Sequence, residues 1–311
     1  MSTKVAVIGT GLVGRAWAIV FARGGKEVEL WDPNAAAVSH ALEQIDALLP
    51  DLARFDLLND TEPAAVRARI KPGEGFEGTV AGAIHVQESG PERVDVKREI
   101  FASLVELAEP KVVLASSTSG IPASAFTESL ATRERCLVAH PINPPHIVPA
   151  VEMIPAPWTD TEVLERTTDL MRSVGQVPIR LNREVEGFVV NRLQGALLSE
   201  AFRLVEDGVC GVDDVDAAIA DGLGLRWSFM GPFETIDLNS PAGVRGYCEM
   251  LGSLYFSLAK SQADPREWSE ALVSQIETAR RQTLGENQIV DRQQWRDRRL
   301  AQLVGLKRTF D

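Results

Sequence analysis

The sequence predicts an α/β fold in which an N-terminal doubly wound sheet is followed by an all-helical C-terminal domain. Up to about residue 185, helical patterns alternate with short, wholly apolar runs, which are typical of strands covered on both faces. Beyond that point no strand pattern appears, and helical periodicity recurs from residue 187 to residue 284. We therefore expect two domains, residues 1–185 and residues 186–311, and the chain is long enough for both.

The N-terminal residues follow the order strand, glycine turn, helix, strand, acid. In that order the segments are residues 5–8, Gly9-Thr10-Gly11-Leu12-Val13-Gly14, residues 15–23, residues 28–31 and Asp32. In this motif the first glycine makes the tight turn, the second lets backbone N–H groups approach a pyrophosphate, and the third lets helix and strand pack closely. The context predicts a Rossmann-type dinucleotide site contacted by Gly9, Gly11, Leu12, Val13 and Gly14.

Asp32 indicates which dinucleotide to expect. A carboxylate at the tip of the second strand can hold both ribose hydroxyls and would repel a 2′-phosphate. The sequence therefore predicts NAD rather than NADP, with FAD as the competing dinucleotide. A glycine turn in some other α/β protein is the alternative that needs no cofactor.

Hydroxyl side chains and a histidine follow two later strand patterns. Residues 111–115 lead into a loop that contains Ser117 and Ser119, and residues 136–139 lead into His140. Because the carboxyl ends of parallel strands line the ligand crevice of such a sheet, these three side chains are expected beside the nicotinamide and the substrate. A turn with a helix N-cap is the alternative for the serine loop.

A carboxylate stands twelve residues after His140. Glu152 lies in an apolar run, and Asn143 and several prolines separate it from the histidine. A histidine whose second nitrogen meets a carboxylate is a general acid/base with an orienting group. The stretch therefore predicts proton transfer by His140, and its alternative is a loop with a capping histidine and an unrelated glutamate.

The composition argues against several classes of partner. A net charge of −12 disfavours nucleic acid and anionic membranes, which need a basic surface, and no apolar run approaches the ~20 residues that span a bilayer. The chain begins with a strand pattern instead of a signal peptide, and its three cysteines form no C-x-x-C pair, so we expect a cytoplasmic protein. The four histidines lack ligand spacing, so no metal site is expected.

Together these motifs resemble those of the L-3-hydroxyacyl-CoA dehydrogenase superfamily over essentially the whole chain. The resemblance rests on the dinucleotide motif, the serine loop, His140-Pro141-x-Asn143, Glu152 and Gly187-Phe188-Val189-Val190-Asn191-Arg192. It implies an NAD-dependent dehydrogenase in which His140 is the base and Glu152 orients it. It also implies that Ser119 and Asn191 contact the substrate oxygen and that Asn143 is an active-site amide.

The same resemblance extends the cofactor site. It implies that Glu88 and Lys97 contact NAD along with the glycines of the turn and Asp32, whereas Ser117 is expected at the cofactor from its position after a strand. From the residues alone, a solvated helix start and an exposed lysine are equally good interpretations of Glu88 and Lys97.

Within the superfamily the chain is most similar to the lambda-crystallin and L-gulonate 3-dehydrogenase branch. The residues that carry this likeness are Asn143-Pro144-Pro145, Asp221-Gly222-Leu223-Gly224-Leu225-Arg226, Gly231-Pro232-Phe233-Glu234-Thr235 and Gln294-Trp295-Arg296-Asp297. The branch implies oxidation of a free 3-hydroxy acid to the 3-keto acid. The alternatives are an L-3-hydroxyacyl-CoA dehydrogenase, such as a 3-hydroxybutyryl-CoA dehydrogenase, an L-carnitine dehydrogenase, or a non-enzymatic NAD-binding structural or redox-sensing protein.

Two further expectations concern the C-terminal domain. Arg226 lies among small and aromatic residues, and its guanidinium can hold a substrate carboxylate by two parallel hydrogen bonds. An ion pair with Glu234 or Asp237 is the alternative. Several apolar helical faces with little sign of a closed core predict a homodimer through residues 186–311.

Overall fold

The computed structural model describes residues 3–310 and divides into two compact units. The first unit holds the chain up to Asn191 together with the residues from Trp295 onward, and the second holds Arg192–Gln294. The boundary expected at residue 185 thus lies a few residues before the end of the first unit. The last residues of the chain, expected in the helical domain, belong to the first unit.

An eight-stranded sheet forms the centre of the first unit. In chain order its strands are β1 Lys4–Ile8, β2 Glu27–Trp31, β3 Ile70–Pro72, β4 His85–Glu88, β5 Val113–Ser116, β6 Cys136–Pro141, β7 Ala150–Pro155 and β8 Val177–Arg180. Their spatial order is β3-β2-β1-β4-β5-β6-β7-β8, and β7 runs antiparallel to β6 while the other neighbours are parallel. The winding reverses between β1 and β4, where open α/β sheets bind ligands.

Helices cover the sheet and make up the second unit. In chain order they are α1 Leu12–Arg23, α2 Ala35–Arg54, α3 Pro63–Ala68, α4 Gly75–Val80, α5 Val94–Leu107, α6 Ser124–Thr127, α7 Thr161–Ser173, α8 Val190–Glu206, α9 Val212–Ala217, α10 Gly224–Trp227, α11 Pro232–Leu238, α12 Gly243–Ser261, α13 Glu270–Thr283 and α14 Ile289–Lys307. The predicted class, a Rossmann-like α/β part followed by a helical part, is confirmed. Among residues 3–310 no helix has the length and apolar character to cross a membrane.

The apolar strand patterns follow from burial on both faces of the sheet. In β1, Val5 and Val7 belong to the core cluster that contains Trp17, whereas Ala6 and Ile8 belong to the opposite cluster that contains Phe101. Successive side chains of a strand point to opposite faces, so a strand covered on both sides needs apolar residues at every position. This explains why the sequence shows continuous runs instead of alternation.

Within the first unit, the C-terminal end of α14 packs beside the end of α2. Ala301 is buried there, and Leu300 and Val304 pack against the same core cluster. A Cβ added to Gly305 would lie 2.7 Å from the Phe55 carbonyl oxygen, closer than real Cβ contacts. Glycine at this helical position therefore permits a backbone-to-backbone approach that a larger residue would prevent.

We predict that Gly305→Ala destabilises the protein, although helix propensity alone would favour alanine by about 0.5–1 kcal/mol. Forcing the helix away from the Phe55 carbonyl should cost about 1–3 kcal/mol and lower the midpoint of thermal unfolding. Gln302→Ala, on the exposed side of the same helix, is the control and should leave the midpoint nearly unchanged. A higher midpoint for Gly305→Ala would contradict the close approach.

Candidate active site

His140 and Glu152 are direct neighbours across β6 and β7. The antiparallel register pairs these two residues, so their side chains leave the same face of the sheet. His140 Nδ1 lies 2.7 Å from Glu152 Oε2, and both side chains are buried. The turn that joins the two strands thus brings together the acid/base pair expected from the sequence.

The second oxygen of Glu152 fixes the start of α8. Its Oε1 accepts hydrogen bonds from the backbone N–H groups of Val189 at 2.7 Å and Val190 at 3.0 Å. The preceding residue, Phe188, is fully buried with φ +52°, and its ring centroid lies 5.6 Å from that of His140. One carboxylate therefore positions both the histidine and the first turn of a helix.

Hydrogen bonding keeps Glu152 ionised. Burial by itself would raise its pKa, but the bonds from His140 and from the two backbone N–H groups outweigh burial and hold the pKa below its usual value. An ionised carboxylate only accepts hydrogen bonds, so the imidazole of His140, whenever it carries a single proton, carries it on Nδ1. His140 Nε2 is then left with a lone pair, as a general base requires.

A hydrogen bond joins Asn191 to the loop that carries Ser119. The Asn191 side-chain amide donates to the Ser119 carbonyl oxygen at 2.7 Å. Since Asn191 directly follows the two residues held by Glu152, the expected substrate-contacting amide lies next to the anchored turn. Both residues retain solvent exposure, which is compatible with the substrate contact expected of them.

Glu92 anchors the serine loop, a role that sequence reasoning missed. Its Oε1 accepts from Thr118 Oγ1 at 2.6 Å, from the Ser119 backbone N–H at 2.9 Å and from the Gly120 N–H at 3.1 Å. Although burial raises the Glu92 pKa, these bonds and the nearby Lys97 lower it overall. In the sequence Glu92 follows Gly90-Pro91 at a predicted helix start, where an acid is ordinarily solvated, so no pattern distinguished it.

Glu88 and Lys97 form a buried ion pair beneath the crevice loops. Lys97 Nζ lies 3.1 and 3.0 Å from the two Glu88 oxygens, and both side chains are almost fully buried. Ser116 Oγ and the Gly90 N–H also donate to Glu88. Glu88 is thus not part of a solvated helix start, and Lys97 is not an exposed lysine. The ion pair and the Ser116 hydrogen bond connect the ends of β4 and β5 to α5.

The glycine turn after β1 has the geometry that a dinucleotide needs. Gly9 has φ +94°, and a Cβ on Gly14 would lie 1.9 Å from the Gly9 carbonyl oxygen. A Cβ on Gly11 would meet nothing within 4 Å, and Leu12 is 63% exposed, so the turn has an open side. This open cradle at a helix N-terminus fits the pyrophosphate of NAD.

Hydrogen bonds from Thr10 and Asn34 orient the Asp32 carboxylate. One carboxylate oxygen accepts from the backbone N–H and the hydroxyl of Thr10, and the other accepts from the Asn34 N–H. The acid therefore stands at the tip of β2, directly beside the glycine turn, as the sequence predicts for the ribose-binding residue.

Three remaining candidates lie in different surroundings. Asn143 is exposed on the turn between β6 and β7, just before a cis Asn143–Pro144 bond. Ser117 Oγ lies among three polar side chains at the end of β5. Arg226 belongs to the second unit, where it is exposed in α10, and no ion pair among residues 3–310 joins it to Glu234, Asp237 or another acid.

Comparison with known proteins identifies the family. Residues 4–185 match the model of the 3-hydroxyacyl-CoA dehydrogenase NAD-binding domain, and residues 187–285 match that of the C-terminal domain of the same enzymes. Rabbit (Oryctolagus cuniculus) lambda-crystallin is 39% identical over 98% of this chain and 96% of its own. An L-carnitine dehydrogenase from a Pseudomonas species is 34% identical over 94% and 90% of the two chains.

A solved structure matches the whole chain. It is that of a 5-formyl-3-hydroxy-2-methylpyridine 4-carboxylic acid 5-dehydrogenase, described as an NAD+-dependent dismutase. It superposes with a TM-score of 0.85 at 26% identity and covers 99% of both chains. With both domain matches in sequence order and this full-length likeness, the chain belongs to the 3-hydroxyacyl-CoA dehydrogenase family of NAD-dependent enzymes that act on CH–OH groups.

Proposed function

We propose that this enzyme oxidises a free 3-hydroxy acid to the corresponding 3-keto acid, as an L-gulonate 3-dehydrogenase does. The observation that supports the chemistry is the buried pair of His140 and Glu152, whose 2.7 Å hydrogen bond leaves the far imidazole nitrogen available as a base. The experiment that tests the assignment compares kcat/KM with NAD for L-gulonate, L-3-hydroxybutyrate, 3-hydroxybutyryl-CoA and L-carnitine. The proposal requires a free acid to give the highest value.

In the proposed mechanism His140 Nε2 removes the hydroxyl proton of the substrate while the carbon loses hydride. Bound NAD, held by the glycine turn and Asp32, supplies the hydride acceptor. The ionised Glu152 carboxylate stabilises the imidazolium that forms and keeps the ring in one orientation. Ser119 and Asn191 orient the reacting oxygen, and Asn143 adds a polar group to the site.

A free acid and a CoA thioester make different demands on the protein. A free acid needs a cation for its carboxylate, whereas a thioester needs room and basic partners for its phosphates. An exposed Arg226 without an ion-pair partner among residues 3–310 is suited to bind the carboxylate of a free acid. The solved relative named for a pyridine carboxylic acid also favours an acid substrate, while a fungal relative named 3-hydroxyacyl-CoA dehydrogenase, 35% identical, supports the CoA alternative.

We also propose that the enzyme is a homodimer through residues 186–311. The second unit exposes large apolar side chains that a monomer would leave in water; they include Phe233 at 78%, Leu193 at 65%, Phe256 at 64% and Met250 at 61%. Light scattering at micromolar concentration should give twice the chain mass of 33.9 kDa. A monomeric mass would overturn the assembly but not the chemistry.

For the base, we predict that His140→Ala lowers kcat by at least ~10²-fold while NADH still binds, because the glycine turn is untouched. Glu152→Gln should cost less, since it keeps one acceptor oxygen but loses the charge. His40→Ala, which removes an exposed histidine from α2, is the control and should behave as wild type. Normal turnover by His140→Ala at neutral pH would remove this residue from the mechanism.

For the substrate, we predict that Arg226→Met raises KM for the preferred free acid by roughly tenfold or more, the value of a charge-assisted hydrogen bond. The Kd for NADH should stay the same, because the cofactor turn lies elsewhere in the sequence. Arg298→Met removes an arginine from the exposed side of α14 and is the matched control. An unchanged KM in Arg226→Met would exclude Arg226 as the carboxylate ligand.

A further inference from the structure

A chain of polar side chains runs beneath the cofactor crevice between β4 and β5. Ser117 Oγ lies 3.0 Å from Trp17 Nε1, 2.7 Å from Gln87 Nε2 and 2.9 Å from Ser89 Oγ. Gln87 Oε1 lies 3.0 Å from His85 Nε2. Trp17, His85 and Gln87 are fully buried, so their polar atoms must satisfy one another.

One group that can only accept and one that can only donate fix which atom donates in each hydrogen bond of this network. The Ala139 carbonyl only accepts, and it lies 3.3 Å from Gln87 Nε2, so the amide nitrogen faces Ser117 and the amide oxygen faces His85. The Trp17 indole N–H only donates. Both lone pairs of Ser117 Oγ are thereby occupied, by Trp17 and by Gln87, and its own proton must go to Ser89.

His85 completes the network as a neutral ring. Burial lowers its pKa to about 4, although its bond to Gln87 acts in the opposite direction. A neutral imidazole has one N–H, and the Gln87 oxygen requires it on Nε2. His85 Nδ1 accordingly has no hydrogen-bond partner in the described part of the chain.

Ser89 is the end of the network that reaches the crevice. Its oxygen accepts from Ser117, which leaves its own proton without an acceptor among residues 3–310. Ser89 is partly exposed at the tip of β4, where its carbonyl oxygen would lie 2.6 Å from a Cβ on Gly9 and its Cβ 3.5 Å from a Cβ on Gly14. A free donor beside the glycine turn faces the part of the fold that holds diphosphate and ribose oxygens.

We propose that Ser89, which is bonded to Ser117 on the side where the nicotinamide is expected, binds the cofactor by donating its hydroxyl proton to an oxygen of the nicotinamide-side phosphate or ribose of NAD. Ser117, whose hydrogen-bonding capacity is used within the network, acts as a positioning residue that fixes the Ser89 donor. This assignment concerns the cofactor alone and holds whichever hydroxy acid the enzyme oxidises.

Calorimetric titration of the full-length protein with NADH, ADP-ribose and AMP tests the contact. Ser89→Ala should raise the Kd for NADH and for ADP-ribose alike by roughly tenfold, the effect of losing one hydrogen bond to a charged or ribose oxygen. The Kd for AMP should stay unchanged. AMP lacks the second phosphate and the second ribose. Ser103→Ala, on the exposed side of α5, is the matched control and should bind all three as wild type.

Ser117→Ala separates a direct contact from a positioning role. Ser117→Ala should raise the Kd for NADH less than Ser89→Ala does. It should lower the midpoint of thermal unfolding of the cofactor-free protein more, because the Trp17 and Gln87 donors lose their acceptor. Three results would each overturn the proposal. They are an NADH affinity of Ser89→Ala within twofold of wild type, an equal loss of affinity for AMP in that variant, and a larger loss of NADH affinity in Ser117→Ala than in Ser89→Ala.

Discussion

The hydrogen bonds of the Glu152 carboxylate constrain the site more than any other contact. A fully buried, ionised carboxylate destabilises the fold by several kcal/mol unless both oxygens are paired. One oxygen holds His140 across the antiparallel strands, and the other holds the backbone N–H groups of Val189 and Val190. The same charge that orients the imidazole of His140, the proposed base, therefore also holds the turn that leads directly into Asn191.

Buried or half-buried acids organise the neighbouring loops in the same way. Glu88, at the end of β4, forms an ion pair with Lys97. Glu92 accepts hydrogen bonds from the backbone N–H groups of the loop that carries Ser119. Each acid binds groups from separate segments, so the crevice loops are held by directional bonds as well as by apolar packing. Such preorganisation is what the proposed mechanism needs, in which charge develops on His140 and on the substrate oxygen.

Much of this fold was predictable because the buried sheet leaves local signals. Apolar runs, the glycine turn and the acid at residue 32 come from constraints within a short stretch of chain, and the acid/base pair is twelve residues apart on neighbouring strands. The Glu92 anchor was not predictable, since its partners lie 26–28 residues away in another loop. Neither was the packing of Ala301 and Gly305 within the first unit, because a helix that mixes charged and apolar residues gives no indication of its partner.

Nitrogen-15 NMR of the histidine side chains tests the central claim most directly. The chain has four histidines, so removing His140 by substitution assigns its signals unambiguously. At neutral pH the account predicts that His140 carries its proton on Nδ1, hydrogen-bonded to Glu152, and that Glu152→Ala abolishes this preference. A ring protonated on Nε2 in the wild-type protein would contradict the account, because His140 would then have no lone pair facing the substrate.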